Sequence, residues 1–308
     1  MNDNPATSAG SFVRGCLGAL FLVAAYSAFD PVEGIIYHPL ARALGLHMVV
    51  HEEMQLKSYA ILMVIRLGLD LLVVAGVFAI LRRGWSDFPL VGSGSGRLGI
   101  IGLATGALVM TAAILAIVIT GNATVAASGQ PIGSAVWHGL GWLLFDYIGA
   151  AGEELYGRVA VLMVAQALFG WRGAILVSGL MFSLIHLGNP GASWIWLARL
   201  FFQGVLLAYA VYRTGSMWWS VAYHTGWNWP SAPLFGAAGS GYLDQGHVFD
   251  FVPIGSPWIT GGPVGPEGSV FAFVAVLCAF GLLMASTRAV RDRQSCFESS
   301  QAVHLREG

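Results

Sequence analysis

The sequence predicts an all-α, polytopic membrane protein built as a bundle of about eight transmembrane helices. Two observations carry this prediction. Of the 308 residues, 56% are hydrophobic and only 10% are charged, whereas a soluble domain has about 25% charged residues. The hydrophobic residues also stand in long blocks rather than in alternation. Neither a soluble globule nor a disordered chain has this composition.

Eight apolar segments approach the length of about 20 residues that a helix needs to cross the hydrocarbon core. They are 12–29, 57–81, 98–120, 132–151, 171–187, 194–212, 216–231 and 268–287. A further apolar helix over 153–169 has three interpretations: it crosses the membrane, lies at an angle inside the bundle, or extends the fourth span. The stretch 232–267 is too rich in Gly and Pro for a span.

Arginines outside the spans predict the orientation. They form two clusters, Arg82/Arg83/Arg97 and Arg288/Arg291/Arg293. By the positive-inside rule both clusters are cytoplasmic, which places both termini in the cytoplasm. We expect one integral membrane domain over 1–308, with a cytoplasmic tail over 288–308, in the inner membrane of a bacterium.

Composition also narrows the class of partner. The formal net charge of −1 provides no electrostatic footprint for nucleic acid. Three cysteines, none in a CxxC pair, argue against a disulfide framework and a structural zinc site. We expect membrane lipid and a protein or peptide substrate as partners and no nucleic acid. The sequence does not indicate the oligomeric state.

Ionisable side chains within the spans need a physical reason, because charge at bilayer depth costs a few kcal/mol. Arg66 and Asp70 lie four residues apart and are interpreted as an internal ion pair. Arg199 and Gln203 have the same spacing, which favours a hydrogen bond that packs helices or an arginine that reaches to the interface. Asp146 has no obvious local partner.

Two other groups of residues are interpreted as structural. His47, His51, Glu52 and Glu53 predict a solvated polar loop helix, although the spacing of the two histidines makes a metal site imaginable. Amphipathic indole rings prefer membrane interfaces, which is where we expect the tryptophans at 194, 196, 218, 219, 227 and 229.

The segment around Glu153 has a different character. Glu153, Glu154 and Arg158 fall within six residues, inside roughly forty otherwise apolar ones. On a helix Glu154 and Arg158 are at i and i+4 with the acid first, the favourable order for an ion pair. Glu153 points about 100° away and has no local counter-ion. One glutamate can therefore orient the site while the other exchanges protons.

Two later spans each carry a histidine with a partner on the same helix face. Phe182 precedes His186 by four residues, and Asn228 follows His224 by four. If three helices converge, these residues and Glu153 supply a base, a proton shuttle and two donors for an oxyanion. Those are the groups that amide hydrolysis requires.

The order EExxxR, FxxxH and HxxxN, on separate hydrophobic helices, resembles the signature of the CPBP family over residues 130–231, which we expect to be the catalytic core. These are the CAAX-protease and bacteriocin-processing intramembrane endopeptidases, also called the Abi family. The resemblance implies an all-helical intramembrane endopeptidase that hydrolyses a peptide bond of a membrane-associated protein or peptide. It also implies a cavity that opens toward the cytoplasm.

The resemblance also implies a role for each motif residue. The roles are activation of water (Glu153, His186), an oxyanion hole (His224, Asn228), bracing of the site (Glu154, Arg158) and shaping of the pocket (Phe182).

The same side chains permit a zinc alternative, in which Glu153, His186 and His224 bind the ion and leave one position open. The sequence contains no HExxH motif, and Asn228 is a poor zinc ligand but a good oxyanion donor. We therefore favour a glutamate-dependent mechanism without a cofactor over a metalloprotease.

Two other functions remain in competition. The first is a non-catalytic immunity or scaffold protein that binds a peptide in the same pocket. The second is a transporter, suggested by Arg66, Asp70, Asp146 and Arg199, although no inverted repeat is visible. The sequence does not identify the substrate or whether it is prenylated.

Overall fold

The computed structural model describes residues 9–84, 87–89 and 94–304. The α-helices in this part of the chain are α1 (Ala9–Ala43), α2 (Leu56–Leu81), α3 (Ser95–Ile119), α4 (Ile132–Glu154), α5 (Leu162–Leu184), α6 (Trp194–Thr214), α7 (Trp218–Trp229), α8 (Pro257–Thr260) and α9 (Val270–His304). Two π-helices (Leu155–Val161, Pro230–Leu234) and two 3-10 turns (Gly262–Val264, Pro266–Gly268) interrupt or follow them. The strands are β1 (Val49–Val50), β2 (Glu53–Met54), β3 (Ala123–Ala127), β4 (Leu243–Asp244) and β5 (Phe249–Pro253).

Among the described residues, six helical segments are long and apolar enough to cross a membrane. They are Gly10–Ala43, Leu56–Leu81, Ser95–Ile119, Ile132–Leu184, Trp194–Thr214 and Val270–Thr287. The prediction of an all-α polytopic membrane protein is therefore confirmed. The 53-residue segment Ile132–Leu184 contains two of the predicted spans, while α7 has 12 residues, fewer than the roughly 20 that a crossing needs. The number eight and the cytoplasmic termini stay predictions, and residues 305–308 of the tail lie outside the described residues.

The apolar helix predicted over 153–169 extends the fourth span. Helix α4 continues without a break into the π-helix Leu155–Val161 and then into α5. The helical path is interrupted at Gly170, where φ is 67° and ψ is 179°, a conformation that only glycine adopts easily. The Ser178 hydroxyl donates to the carbonyl oxygen of Gly157 at 2.9 Å, so the second half of α5 folds back beside the π-helix, and Gly179 packs against α6.

Helices α3 and α7 lie in close backbone contact because of glycine. A Cβ atom at Gly106 would collide with the carbonyl oxygen of Tyr223, and one at Gly226 would collide with the carbonyl oxygen of Leu103. Small residues allow this approach, which is a common way to pack helices in lipid. The short α7 is thereby held inside the bundle, with His224 on it.

The two ends of the bundle differ in structure. At the first end, which we call the strand end, β1, β2 and β4 form one small sheet and β3 and β5 form another. In the first sheet β1 and β2 are antiparallel, β2 and β4 parallel; β3 and β5 are antiparallel. The start of α1, the 82–97 connection, the α6–α7 turn and the continuation of α9 lie at the second end, which we call the arginine end. Met217, for example, donates its backbone N–H to the carbonyl oxygen of Pro89 at 2.9 Å.

Several local predictions were wrong. The residues His47 to Glu53 form no loop helix but the turn and strands β1 and β2, with His51 and Glu52 at positive φ. Arg66 is hydrogen bonded to Glu33 of α1 rather than paired with Asp70. A helical periodicity identifies the face of a residue but not a partner on another helix, which explains the second error.

The tryptophan prediction was wrong for half of the six rings. Trp196, Trp219 and Trp227 are completely or almost completely buried. Trp194 is 81% exposed, as an interfacial ring would be. The Arg199–Gln203 interpretation is confirmed, since the guanidinium donates to the Gln203 side chain inside the bundle.

Candidate active site

The two adjacent glutamates lie where α4 changes into a π-helix, and they have opposite environments. The Glu154 side chain is fully buried, and its Oε2 lies 3.2 Å from Nε of Arg158, which is also fully buried. The Glu153 side chain keeps 39% of its exposure. Single π turns inside helices are frequent at functional sites. The paired and the free carboxylate expected from the sequence are therefore both present.

Both histidines face Glu153. Nε2 of His186 and Nε2 of His224 each lie 3.9 Å from Oε2 of Glu153. This oxygen is buried and has no hydrogen-bond partner among the described residues. The distance of 3.9 Å is too long for a hydrogen bond. The carboxylate oxygen and the two Nε2 atoms therefore lie around a shared space and do not use up one another's hydrogen-bonding capacity.

The second nitrogen of each ring determines its chemistry. Nδ1 of His186 lies 2.7 Å from the carbonyl oxygen of Phe182, and because a carbonyl only accepts, Nδ1 carries the proton. In its neutral form His186 therefore directs the lone pair of Nε2 toward Glu153. Nδ1 of His224 lies 3.1 Å from Oε1 of Glu154, and the carboxylates on both sides of this ring stabilise an imidazolium, whose Nε2–H is a donor.

The Phe182 ring separates the charged groups of the site. Its centroid lies 4.9 Å from that of His186 and 5.6 Å from that of His224, both in edge-to-face geometry. The guanidinium of Arg158 covers the ring at 4.3 Å. Phe182 is 3% exposed. A small or flexible side chain here would leave both imidazoles without a lateral support.

Asn228 stands apart from this set of contacts. It lies on α7, four residues after His224, and is half-buried. Among the described residues it makes no hydrogen bond to the other six motif residues. The structure thus brings together Glu153, Glu154, Arg158, Phe182, His186 and His224, and it places Asn228 one helical turn away on a shared face.

Comparison with protein families agrees with the three motifs. Residues 132–230 match the family model described as Type II CAAX prenyl endopeptidase Rce1-like. This segment is Rce1-like. The family predicted from EExxxR, FxxxH and HxxxN is confirmed over it, and the Rce1-like segment begins with α4 and ends with α7. This match supports a CAAX-type intramembrane protease, a hydrolase, in an integral membrane protein. Comparisons with curated proteins and with solved structures gave no match.

The Rce1-like segment offers a limited set of metal donors. Glu153, His186 and His224 converge, as the zinc alternative requires. Within the described ranges, however, no group of three or more His, Cys, Asp or Glu side chains is arranged to hold a metal ion.

One residue of the site was missed from the sequence. Trp196 of α6 packs edge-on against His186, with ring centroids 5.8 Å apart, and its Nε1 donates to Oε2 of Glu267 at 3.3 Å. The sequence signal was misleading, because a tryptophan near the start of a span usually marks the interface. The buried glutamate Glu267, in a Gly- and Pro-rich stretch, was the signal that could have located its partner.

An acidic pair lies between the site and the strand end. Asp146, two turns before Glu153 on α4, is buried. Asp244 of β4 is 4% exposed, and its Oδ1 has no hydrogen-bond partner among the described residues. Burial, and then the charges of Asp146 and Glu53, raise the pKa of Asp244 well above its ordinary value. Asp244 is therefore held as a neutral acid over a wide range of pH.

Proposed function

We propose that the protein is a glutamate-dependent intramembrane endopeptidase that hydrolyses a peptide bond of a membrane-associated protein or peptide. The observation that carries the proposal is the position of Glu153. Its Oε2 lies 3.9 Å from Nε2 of both histidines, in a site that also contains a buried arginine. A binding pocket alone has no need of a partly exposed base beside a polarised imidazole.

Glu153 and His186 would activate the attacking water. Both present acceptors, a carboxylate oxygen and the unprotonated Nε2, separated by 3.9 Å. A water molecule between them would donate one hydrogen to each and direct its own lone pair at the scissile carbonyl. General-base assistance of this kind contributes about 10²- to 10⁴-fold to a rate.

His224 and Asn228 would stabilise the oxyanion. The imidazolium of His224, held by Glu154 at 3.1 Å, offers Nε2–H, and the amide of Asn228 lies one helical turn along α7. Donors fixed before the reaction stabilise the negative charge that develops on the carbonyl oxygen.

The proton balance needs no group beyond these residues. Water adds to the carbonyl carbon, its proton passes to Glu153 or His186, and the tetrahedral intermediate carries the negative charge near His224. The same proton is then delivered to the leaving nitrogen as the C–N bond breaks. Glu154 and Arg158 would keep His224 oriented and charged throughout, and Phe182 would keep the two imidazoles apart.

The test is cleavage of a peptide library by purified protein in detergent. We expect Glu153→Gln to lower turnover by about 10²- to 10⁴-fold. Glu52→Gln, a change of an exposed glutamate outside the site, is the matched control and should retain full turnover. Cleavage by Glu153→Gln at the wild-type rate would overturn the proposal. Full binding without cleavage by the wild type would instead favour the immunity or scaffold function.

Metal dependence and location are tested separately. We expect turnover to survive thorough chelation, with no stoichiometric zinc in the active protein. Loss of turnover on chelation and its return with zinc would establish the metalloprotease alternative. Fractionation of bacterial membranes tests the location in the inner membrane.

A further inference from the structure

A cavity of about 580 Å³ lies at the strand end, between the last turns of α1 and the chain that follows this helix. The described residues that line it are Tyr37, His38, Ala41, Arg42, Leu46, His47 and Met48. This lining includes one arginine and two histidines but no aspartate or glutamate. It therefore offers N–H and O–H donors and a permanent positive charge, which together favour an anionic ligand.

Tyr37 provides a donor that the protein itself does not use. Its side chain is 7% exposed, and its hydroxyl is buried without a hydrogen-bond partner among the described residues. The ring is held edge-on against that of His38, with the centroids 5.7 Å apart. A buried polar atom without a partner is costly and uncommon in native proteins. An acceptor oxygen of a ligand in the cavity would remove this cost.

The helix dipole alone explains only part of this cavity. Arg42 lies in the last turn of α1, where the negative end of the dipole favours a cation. Its Nε lies 3.4 Å from the carbonyl oxygen of His38, which leaves the two terminal nitrogens of the exposed guanidinium for another acceptor. The dipole does not explain why the unpartnered hydroxyl of Tyr37 and the imidazole of His47 line the same cavity.

The cavity lies at the depth of lipid headgroups. The carbonyl oxygen of His47 accepts a hydrogen bond from the Ser58 hydroxyl at 2.6 Å, which places His47 beside the first turn of α2. Helix α2 has 26 residues and is therefore about 39 Å long. A bilayer is about 40–45 Å thick with its headgroup layers, so each end of α2 reaches the depth of the lipid phosphates.

A second cavity, of about 560 Å³, continues from the first along α1 and shares His38 and Arg42 with it. Its other lining residues are Asp30, Pro31, Gly34, Ile35 and Pro39. Gly34 leaves room here, since a Cβ atom at this position would have only the His38 ring within 4 Å. Asp30, the acidic residue at the far end, lies 3.8 Å from Arg66. The distance along α1 from Arg42 to Asp30 is about 18 Å, and most of the lining between them is apolar.

We propose that the two cavities together bind one anionic phospholipid. Its phosphate lies among Arg42, Tyr37 and His47, and one acyl chain follows α1 past Gly34 and Ile35. A free phosphate has the same headgroup chemistry but would use only the first cavity, whereas the apolar second cavity suits an acyl chain. None of the residues that line the two cavities belongs to the candidate active site, so this inference is independent of the proposed protease function.

Lipid retention by the purified full-length chain in detergent tests the chemistry of the ligand, with native mass spectrometry as the readout. The probes are phosphatidylglycerol, phosphatidylcholine with the same acyl chains, and inorganic phosphate. We expect one phosphatidylglycerol to be retained per chain at a concentration at which neither of the other two binds. Absence of retention, or equal retention of phosphatidylcholine, would overturn the proposal. Displacement of phosphatidylglycerol by an equal concentration of inorganic phosphate would show that a free anion, and not a lipid, is the ligand.

Two variants test the position of the phosphate. Arg42→Gln should weaken the retention of phosphatidylglycerol by about 10-fold or more, since a hydrogen bond to a charged group is lost. Tyr37→Phe should weaken it by about 2- to 10-fold without lowering the melting temperature. Arg172→Gln, at an exposed arginine of α5, is the matched control. Wild-type retention by Arg42→Gln, an equal loss in Arg172→Gln, or a less stable Tyr37→Phe protein would overturn the assignment.

A third variant tests the position of the acyl chain. The side chain introduced by Gly34→Leu would occupy the second cavity, and we expect it to weaken the retention of phosphatidylglycerol. Gly68→Leu on α2 is the matched control, because a Cβ atom at Gly68 also meets open space, and it should bind like the wild type. Unchanged retention by Gly34→Leu, or the same loss in both variants, would overturn the path of the chain along α1.

Discussion

The described part of the bundle contains two buried arginine–carboxylate clusters, and their difference separates a structural group from a reactive one. Arg199 donates from Nε to the carbonyl oxygen of Glu267 at 3.0 Å, from Nη2 to Oε2 of Glu267 at 2.7 Å, and also to Gln203. Its guanidinium lies over Trp227 at 5.1 Å. Every part of this arginine has a partner.

Arg158 also lies over an aromatic ring beside a carboxylate, but its N–H donors do not all have hydrogen-bond partners. Its guanidinium lies over Phe182 and its Nε is 3.2 Å from Glu154, yet none of its three nitrogens has hydrogen-bond geometry to a protein acceptor in the described residues. Buried polar groups left in this way are uncommon and mark strain or function. The cluster with unpartnered donors, Glu154–Arg158, is the one beside Glu153. This position indicates that its polar groups serve the reaction rather than the stability of the bundle.

The largest effect is expected from a substitution that breaks the Arg199–Glu267 cluster, in which every donor has a partner. Glu267→Ala leaves Arg199 as an unpaired buried charge, which should lower the free energy of unfolding by about 3–5 kcal/mol. Thermal unfolding in detergent micelles measures it. The double change of Arg199 and Glu267 to methionine is the control and should recover most of the loss. A Glu267→Ala protein with wild-type stability would show that this cluster is not structural.

The next largest effect is expected at Asn228, in the candidate active site. Asn228→Ala should lower turnover by about 10²- to 10³-fold if the amide is an oxyanion donor, with little change in the melting temperature because Asn228 is only half-buried. Thr225→Ala on the same helix is the matched control, since its hydroxyl bonds back to Val221. Equal turnover of both variants would remove Asn228 from the oxyanion hole.

A smaller effect is expected from a substitution of Arg158, and it tests the role of the guanidinium that covers Phe182. Arg158→Lys keeps the charge but loses the planar group that covers the ring, a contact of about 2 kcal/mol when it is desolvated. We expect a matching decrease in the free energy of unfolding and a lower turnover, because Arg158 packs on the Phe182 ring that contacts both imidazoles. Arg172→Lys, an exposed arginine, should change neither. An unaltered Arg158→Lys protein would argue that only charge matters here.

The smallest effect concerns Asp244, which belongs to neither cluster. Its raised pKa means that the folded state binds the proton more tightly than the unfolded state. The neutral form is present in both states below about pH 4, and stability falls as pH rises from there toward the raised pKa. The loss is at most about 1.4 kcal/mol per pH unit.

Asp244→Asn should remove that pH dependence. Its melting temperature is expected to exceed that of the wild type by an amount that grows with pH above about 4. Asp87→Asn at the arginine end is the control and should follow the wild type. A constant difference across this range would show that Asp244 does not titrate between the two states.

The sequence predicted the membrane bundle, the family and six residues that converge, because each depends on local composition or on i, i+4 spacing. The π-helix after Glu154 could not be predicted, since its apolar pattern matches that of an α-helix. Trp196 and Glu267 were missed because their partnership joins two segments 71 residues apart. Arg66 was assigned to Asp70 for the same reason: its partner, Glu33, lies on another helix.

The most direct test measures turnover and melting temperature for Glu153→Gln and Glu267→Ala side by side. We predict that Glu153→Gln loses about 10²- to 10⁴-fold in turnover while it unfolds at the wild-type temperature. Glu267→Ala should unfold at a lower temperature, and its folded fraction should retain far more turnover than Glu153→Gln, because Glu267 reaches His186 only through Trp196. Wild-type turnover by Glu153→Gln would contradict the assignment of Glu153 as the base that activates water.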